Sequence, residues 1–202
     1  MRELPIVGGH LALDFADTID DPLGAARFDH IATYAGLLQW SARVGVLSSE
    51  HAKRLQQVAS THPRAAAIAV RRAHTLRQIL IEMFTAVATD AGSPATYWPQ
   101  LQPFVLDAIE HADITPTTDA RACQMSWPRS NDLTAVLWPI AHGAVALLTS
   151  ADLDRVKRCA GCPWLFLDRS KNASRRWCAM NDCGTHEKIR RYVARRAERR
   201  SL

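Results

Sequence analysis

Four cysteines set the strongest constraint on this chain. Cys159-x2-Cys162 is followed, fifteen residues later, by Cys178-x4-Cys183. Two short-spaced pairs at that separation are a zinc signature, because each pair clasps one edge of a tetrahedron of thiolates. Gly161 lies inside the first pair, where backbone amides must turn toward sulfur. Trp164-Leu165-Phe166-Leu167 has strand character, Asp168 to Ser174 is a polar turn, and Arg175-Arg176-Trp177 leads back to Cys178. These residues read as a β-hairpin between the ligand pairs. Thr185 is placed to cap a helix over about 186–200. Knuckle, hairpin and a ligand at a helix entrance form a treble-clef-like zinc finger, spanning 153–202. A module of this size cannot hold itself together by burial alone. Zinc, worth about 10–16 kcal/mol in finger peptides, supplies the difference.

Other uses of the thiols are weaker. The Cys-Ala-Gly-Cys loop does not follow a strand at a helix start, as a redox pair would. An iron–sulfur cluster also takes four thiolates and remains chemically allowed. A catalytic zinc needs an open position, and four cysteines close the shell. His186 could replace a ligand but is not needed. The fifth cysteine, Cys123, stands apart, and the odd count argues against a disulfide framework. In the alternating run Cys123-Gln124-Met125-Ser126-Trp127 it reads as a small buried hydrophobe of a strand.

Charge divides the chain at the same place. Residues 151–202 hold 14 Lys and Arg against 6 Asp and Glu, whereas residues 1–150 hold 11 against 14. A basic quarter on a mildly acidic body implies two tasks, with an anionic partner at the tail. Lys188, Arg191, Arg195 and Arg199 form one stripe of the last helix, and Lys171, Arg175 and Arg176 add to it from the hairpin. Such a row suits DNA phosphates, which give affinity with little sequence information. Ile189, Val193 and Ala197 form a second stripe, expected to pack on the hairpin. Trp164 and Trp177 are expected to form the small core beneath the metal.

The body, 1–152, is mainly α-helical with a small antiparallel β element. Leu11, Leu13 and Phe15 alternate and read as a short half-buried strand that could pair with the one at 123–127. Helical stripes follow from Asp29 as N-cap to Ala42, over 49–60 capped by Ser48 or Ser49, and over 65–90. Others cover 97–111 and a stretch opening at Asn131 or Asp132, with a kink or break expected after Trp138 because of Pro139. His10, Asp14, Asp17, His74, Glu82, His111 and His142 form no spacing that demands chemistry, so no catalytic residue is assigned and an enzyme is not expected. The chain opens without signal-peptide organisation, and a soluble cytoplasmic protein is expected.

Arg158-Cys159-Ala160-Gly161-Cys162, Leu165-Phe166-Leu167-Asp168, Arg175-Arg176-Trp177-Cys178-Ala179-Met180 and Cys183-Gly184 together resemble the CGNR zinc finger. The opening Leu11-Ala12-Leu13-Asp14-Phe15-Ala16-Asp17-Thr18 resembles its usual companion, the helical ABATE domain. The resemblance implies a stress-responsive bacterial transcription regulator whose finger binds DNA; on that reading the body is expected to sense a signal, such as an unknown small-molecule ligand, or to form a homodimer. The alternative is a protein- or RNA-interaction module with a structural zinc site. One departure stands out: Thr185-His186 replaces the Asn-Arg that completes the family's namesake motif. That change leaves the metal site untouched and bears on whichever phosphate or base contact the arginine makes in relatives.

Overall fold

The computed structural model describes residues 4–20, 24–118 and 121–198, with the backbone alone at 191, 195, 197 and 198. The first element is a helix, α1 (Leu11–Ala16), where the alternation pointed to a strand. Ala12, Leu13, Phe15 and Ala16 are all buried, so this helix is enclosed nearly all round. A helix with no solvent face shows no 3.6-residue contrast, and Leu11-x-Leu13-x-Phe15 alternates by coincidence. His10 starts it, its Nδ1 accepting the Ala12 N–H at 3.3 Å. The Gly8 N–H donates to Asp14 Oδ1 at 2.8 Å. A Cβ on Gly8 would lie 2.8 Å from the Asp14 nitrogen, so that approach needs glycine.

A two-residue ladder joins β1 (Ile19–Asp20) to β2 (Phe28–Asp29). Asp29 does not cap the next helix. Its carboxylate instead takes both Arg77 terminal nitrogens at 2.7 Å, and Arg77 also donates to Thr18 Oγ1 at 3.0 Å. Burial pushes the Asp29 carboxyl up, but the Arg77 hydrogen bonds and charge outweigh it and hold the group below its ordinary value. Thr33 caps α2 (Tyr34–Arg43) in its place, accepting from Gly36 at 3.1 Å. Ser48 caps α3 (Ser49–Thr61). Pro63, which ends that helix, is also the first residue of α4 (Pro63–Ala88), where a missing N–H costs nothing. The stripe Leu76, Ile79, Leu80, Met83 and Phe84 of this long helix is buried, as its period requires.

After a 3₁₀ turn at Pro94–Tyr97 comes α5 (Trp98–Glu110). The strand read at 123–127 is present as β4 (Cys123–Ser126), but it pairs antiparallel with β3 (Asp113–Pro116) rather than with the chain's beginning. This hairpin lies on the surface, so Cys123 is exposed and not the buried hydrophobe expected. Ala135–Leu137 forms a 3₁₀ turn and α6 (Trp138–Leu148) begins only at Trp138. Pro139 thus falls in a first helical turn, and no kink is needed. The His111 ring stacks on Trp138 at 4.3 Å, joining α5 to α6.

The 3₁₀ turn Ala151–Arg155 delivers the chain to β5 (Val156–Arg158), which pairs antiparallel with β6 (Leu165–Leu167). One turn of π-helix (Met180–Gly184) then leads into α7 (Thr185–Glu198). Val156, Trp164, Leu165, Phe166 and Leu167 belong to the same continuous core as α1, α4 and α6. Polar contacts reinforce that continuity. The Leu167 N–H donates to the Gly8 carbonyl at 2.8 Å, the Leu165 N–H to Asp17 Oδ1 at 3.0 Å, and Trp164 Nε1 to the Ile19 carbonyl at 2.9 Å. The C-terminal module is therefore built into the body along one strand.

Candidate metal centre

The cysteine knuckle sits at the tip of β5–β6, so the hairpin encloses the first ligand pair instead of lying between the two pairs. The Cys159 N–H closes it on the Trp164 carbonyl at 2.8 Å. A three-residue strand ahead of the first cysteine carries too short a pattern to be read from sequence, so the expected hairpin pairs β6 with a later segment. Knuckle, hairpin and terminal helix are nonetheless all present.

Cys159, Cys162, Cys178 and Cys183 come together with all four sulfurs within 4.8 Å of one another. Cys162 Sγ lies 3.6 Å from Cys178 Sγ, which is 3.7 Å from Cys183 Sγ. A tetrahedral ion with metal–sulfur bonds of about 2.3 Å separates its sulfurs by about 3.8 Å, so the spacing fits one thiolate-bound metal ion. The backbone is arranged for negative sulfur: Gly161 and Cys178 donate their N–H groups to Cys159 Sγ at 3.4 and 3.3 Å. Hydrogen bonds from Cys162 and Cys178 hold the Cys159 thiol well below its ordinary value, while its contacts with Cys159 and Cys162, together with burial, push Cys178 well above. Four sulfurs this close cannot all ionise unaided, and a cation is what allows it. Gly161 packs closely on the fourth cysteine, since a Cβ there would stand 3.1 Å from Cys183 Cβ.

Two residues that organise this site carry no metal. Asp168 is fully buried and receives Lys157 Nζ at 2.7 Å and the N–H groups of Ser170 and Arg175 at 2.9 Å each. Burial alone would raise its carboxyl; these donors hold it well below the ordinary carboxylate range instead. It thereby sets the polar turn that returns the chain to Cys178. Arg175 differs from its expected place on the charged face. Its guanidinium lies 4.4 Å over the Phe166 ring and donates to the carbonyls of Trp177, Cys178 and Val7. Its signal in the sequence was position alone, between a strand and a ligand.

Lys171, Arg176 and Lys188 are exposed, as is Arg158, which is not among the cations expected to meet DNA. Arg176 covers the half-buried Trp177 ring at 5.3 Å. Trp164 is buried, and its indole ties the finger to β1. Arg191 and Arg195 lie on α7 with side chains outside the described set, and Arg199 lies outside the described residues. The Thr185 hydroxyl donates to the Met180 carbonyl at 3.0 Å rather than capping an amide. His186 is exposed, and its Nδ1 lies 3.3 Å from Asp182 Oδ1. Ile189 and Val193 do not pack on the hairpin; both are exposed.

Fold and site together define a helical protein with a built-in four-thiolate metal finger that ends in a basic helix. A family model for ABATE, described as "Putative stress-induced transcription regulator", matches residues 9–151, and the CGNR zinc finger matches residues 155–196. The chain belongs to the ABATE family and carries a CGNR zinc finger. A comparison with curated proteins finds no match. No helix among the described residues is long and apolar enough to cross a membrane.

Proposed function

We propose that this chain is a DNA-binding transcription regulator whose finger is held by Zn2+ and whose body answers a signal. The observation that carries the reading is α7. It starts two residues after the fourth ligand, and Lys188 and Arg190 are exposed on it. Lys171 and Arg176, exposed on the segment between the two ligand pairs, are further cations that suit phosphates. Zinc is the ion this donor set favours, since four thiolates in a closed shell are its usual structural coordination. Arg175 has a separate role, holding the ligand loop to β6.

The body offers a place for a signal. An open surface pocket of about 390 Å³ is lined by Ile6, His10, Leu11, Asp14, Arg43 and Val44. Burial lowers the His10 imidazole and raises the Asp14 carboxyl, as expected of groups drawn out of water beside apolar walls. The same α1 segment bonds to β6 through Gly8 and Asp17, so an occupant there would act on the finger directly. A cytoplasmic location follows from a DNA partner. Titration of the zinc-loaded chain into duplex DNA in about 50 mM salt tests the reading: binding supports it, and its absence removes it.

A further inference from the structure

We infer that the Ile189, Tyr192 and Val193 face of α7 reads thymine methyl groups in the DNA major groove. This rests on the DNA-binding reading above and gives it a source of sequence preference. Positions 189, 192, 193 and 196 recur at the i, i+3, i+4, i+7 spacing of one helix face. On a helix packed against its own protein such a face would be buried. Here Ile189 is 55% exposed, Tyr192 64% and Val193 59%. Arg196 lies within the same face and donates to the Tyr192 hydroxyl at 3.4 Å.

Charge decides what covers this face. From Thr185 to Glu198 the helix holds five Lys and Arg against two Glu. A second copy laid alongside would bring like charges together, whereas a duplex supplies the complementary charge. Size agrees, since a helix of about 10–12 Å diameter matches a major groove about 12 Å wide. Within that groove the hydrogen-bonding edges offer nothing to an aliphatic side chain, and the thymine C5-methyl is the apolar group it can meet. Lys188, on the adjoining stripe, would stand toward a phosphate backbone with positions 191 and 195. Phosphate contacts then position the helix while the apolar face discriminates bases.

The test uses the full zinc-loaded chain. Duplexes are selected from a random-sequence pool, and the enriched sequence is remade with deoxyuracil for each thymine, which keeps every hydrogen-bonding group and removes only the methyl. Each contacted methyl should cost about fourfold in affinity. A chain carrying Ile189→Ala and Val193→Ala should bind the thymine duplex more weakly, lose the thymine-to-uracil difference and keep its salt dependence. Equal affinity of the unaltered chain for both duplexes overturns the inference while leaving DNA binding intact. Undiminished thymine preference in the double variant also overturns it. No duplex binding at all, with capture by an acidic protein surface instead, overturns both this inference and the regulator reading.

Discussion

Leu165 donates its backbone N–H to the buried carboxylate of Asp17 at 3.0 Å, joining the strand beside the metal knuckle to the end of α1. The second oxygen, Asp17 Oδ2, has no protein hydrogen-bond partner. Burial raises this carboxyl well above its ordinary value. At this contact the seam between body and finger rests on a single side-chain oxygen. Asp17→Asn retains an acceptor and should be tolerated, whereas Asp17→Ala strands the Leu165 N–H and should cost about 1–3 kcal/mol. Urea denaturation of both variants checks this. Equal stability of the alanine and asparagine variants would contradict it.

The Asp29–Arg77 pair is the main polar tie of the body. Arg77 is only 7% exposed, so Asp29→Ala leaves a guanidinium without its partner and should cost about 2–4 kcal/mol. Its pH dependence has a definite sign. The folded carboxyl is depressed, so its stabilisation is present above the unfolded value of about 4 and is lost as pH falls through the lower folded value. The stability gap between wild type and variant, measured by denaturation from pH 7 downward, should shrink below about pH 4. A gap that widened on acidification would contradict the assignment.

Metal removal should propagate into the body because the cores are continuous. One zinc per chain is expected, and Cys178→Ser should abolish tight binding. Hydrogen exchange after chelation should rise over 156–198 and also over 8–17, where Gly8 and Asp17 meet β6. Loosening confined to the finger would mean that the shared core carries no coupling.

Arg175 and Arg176 are adjacent and should behave oppositely. Arg175→Ala removes the guanidinium over Phe166 and should lower stability and zinc retention. Arg176→Ala should leave both nearly unchanged while reducing the salt slope of DNA binding by about one. Thermal melts, zinc-release assays and salt titrations of the two variants separate the roles.

The metal ligands were legible because thiolate spacing reports coordination chemistry without regard to the surrounding fold. The helices α2 to α5 were legible because each has a polar face, a cap or a proline stop. What was hidden depended on tertiary surroundings. The enclosure of α1 erased its helical contrast, and Asp29 found Arg77 at 48 residues' separation instead of capping a local helix. β5 is too short to announce that it is the partner of β6. The apolar stripe of α7 was clear, but whether it packs inward is not a property of the helix alone, and Ile189 and Val193 face solvent. Arg175 illustrates the same limit: a cation in a basic run is indistinguishable in sequence from one whose charge the fold itself uses.

On the proposed function, the metal fixes the basic helix α7 for use on DNA. The most direct measurement is duplex affinity across about 50 to 200 mM salt for the zinc-loaded chain and for the same chain after chelation. Binding should fall steeply with salt in the loaded chain and weaken markedly once the metal is removed. Affinity that is absent in the loaded chain, or equal with and without the metal, would contradict it.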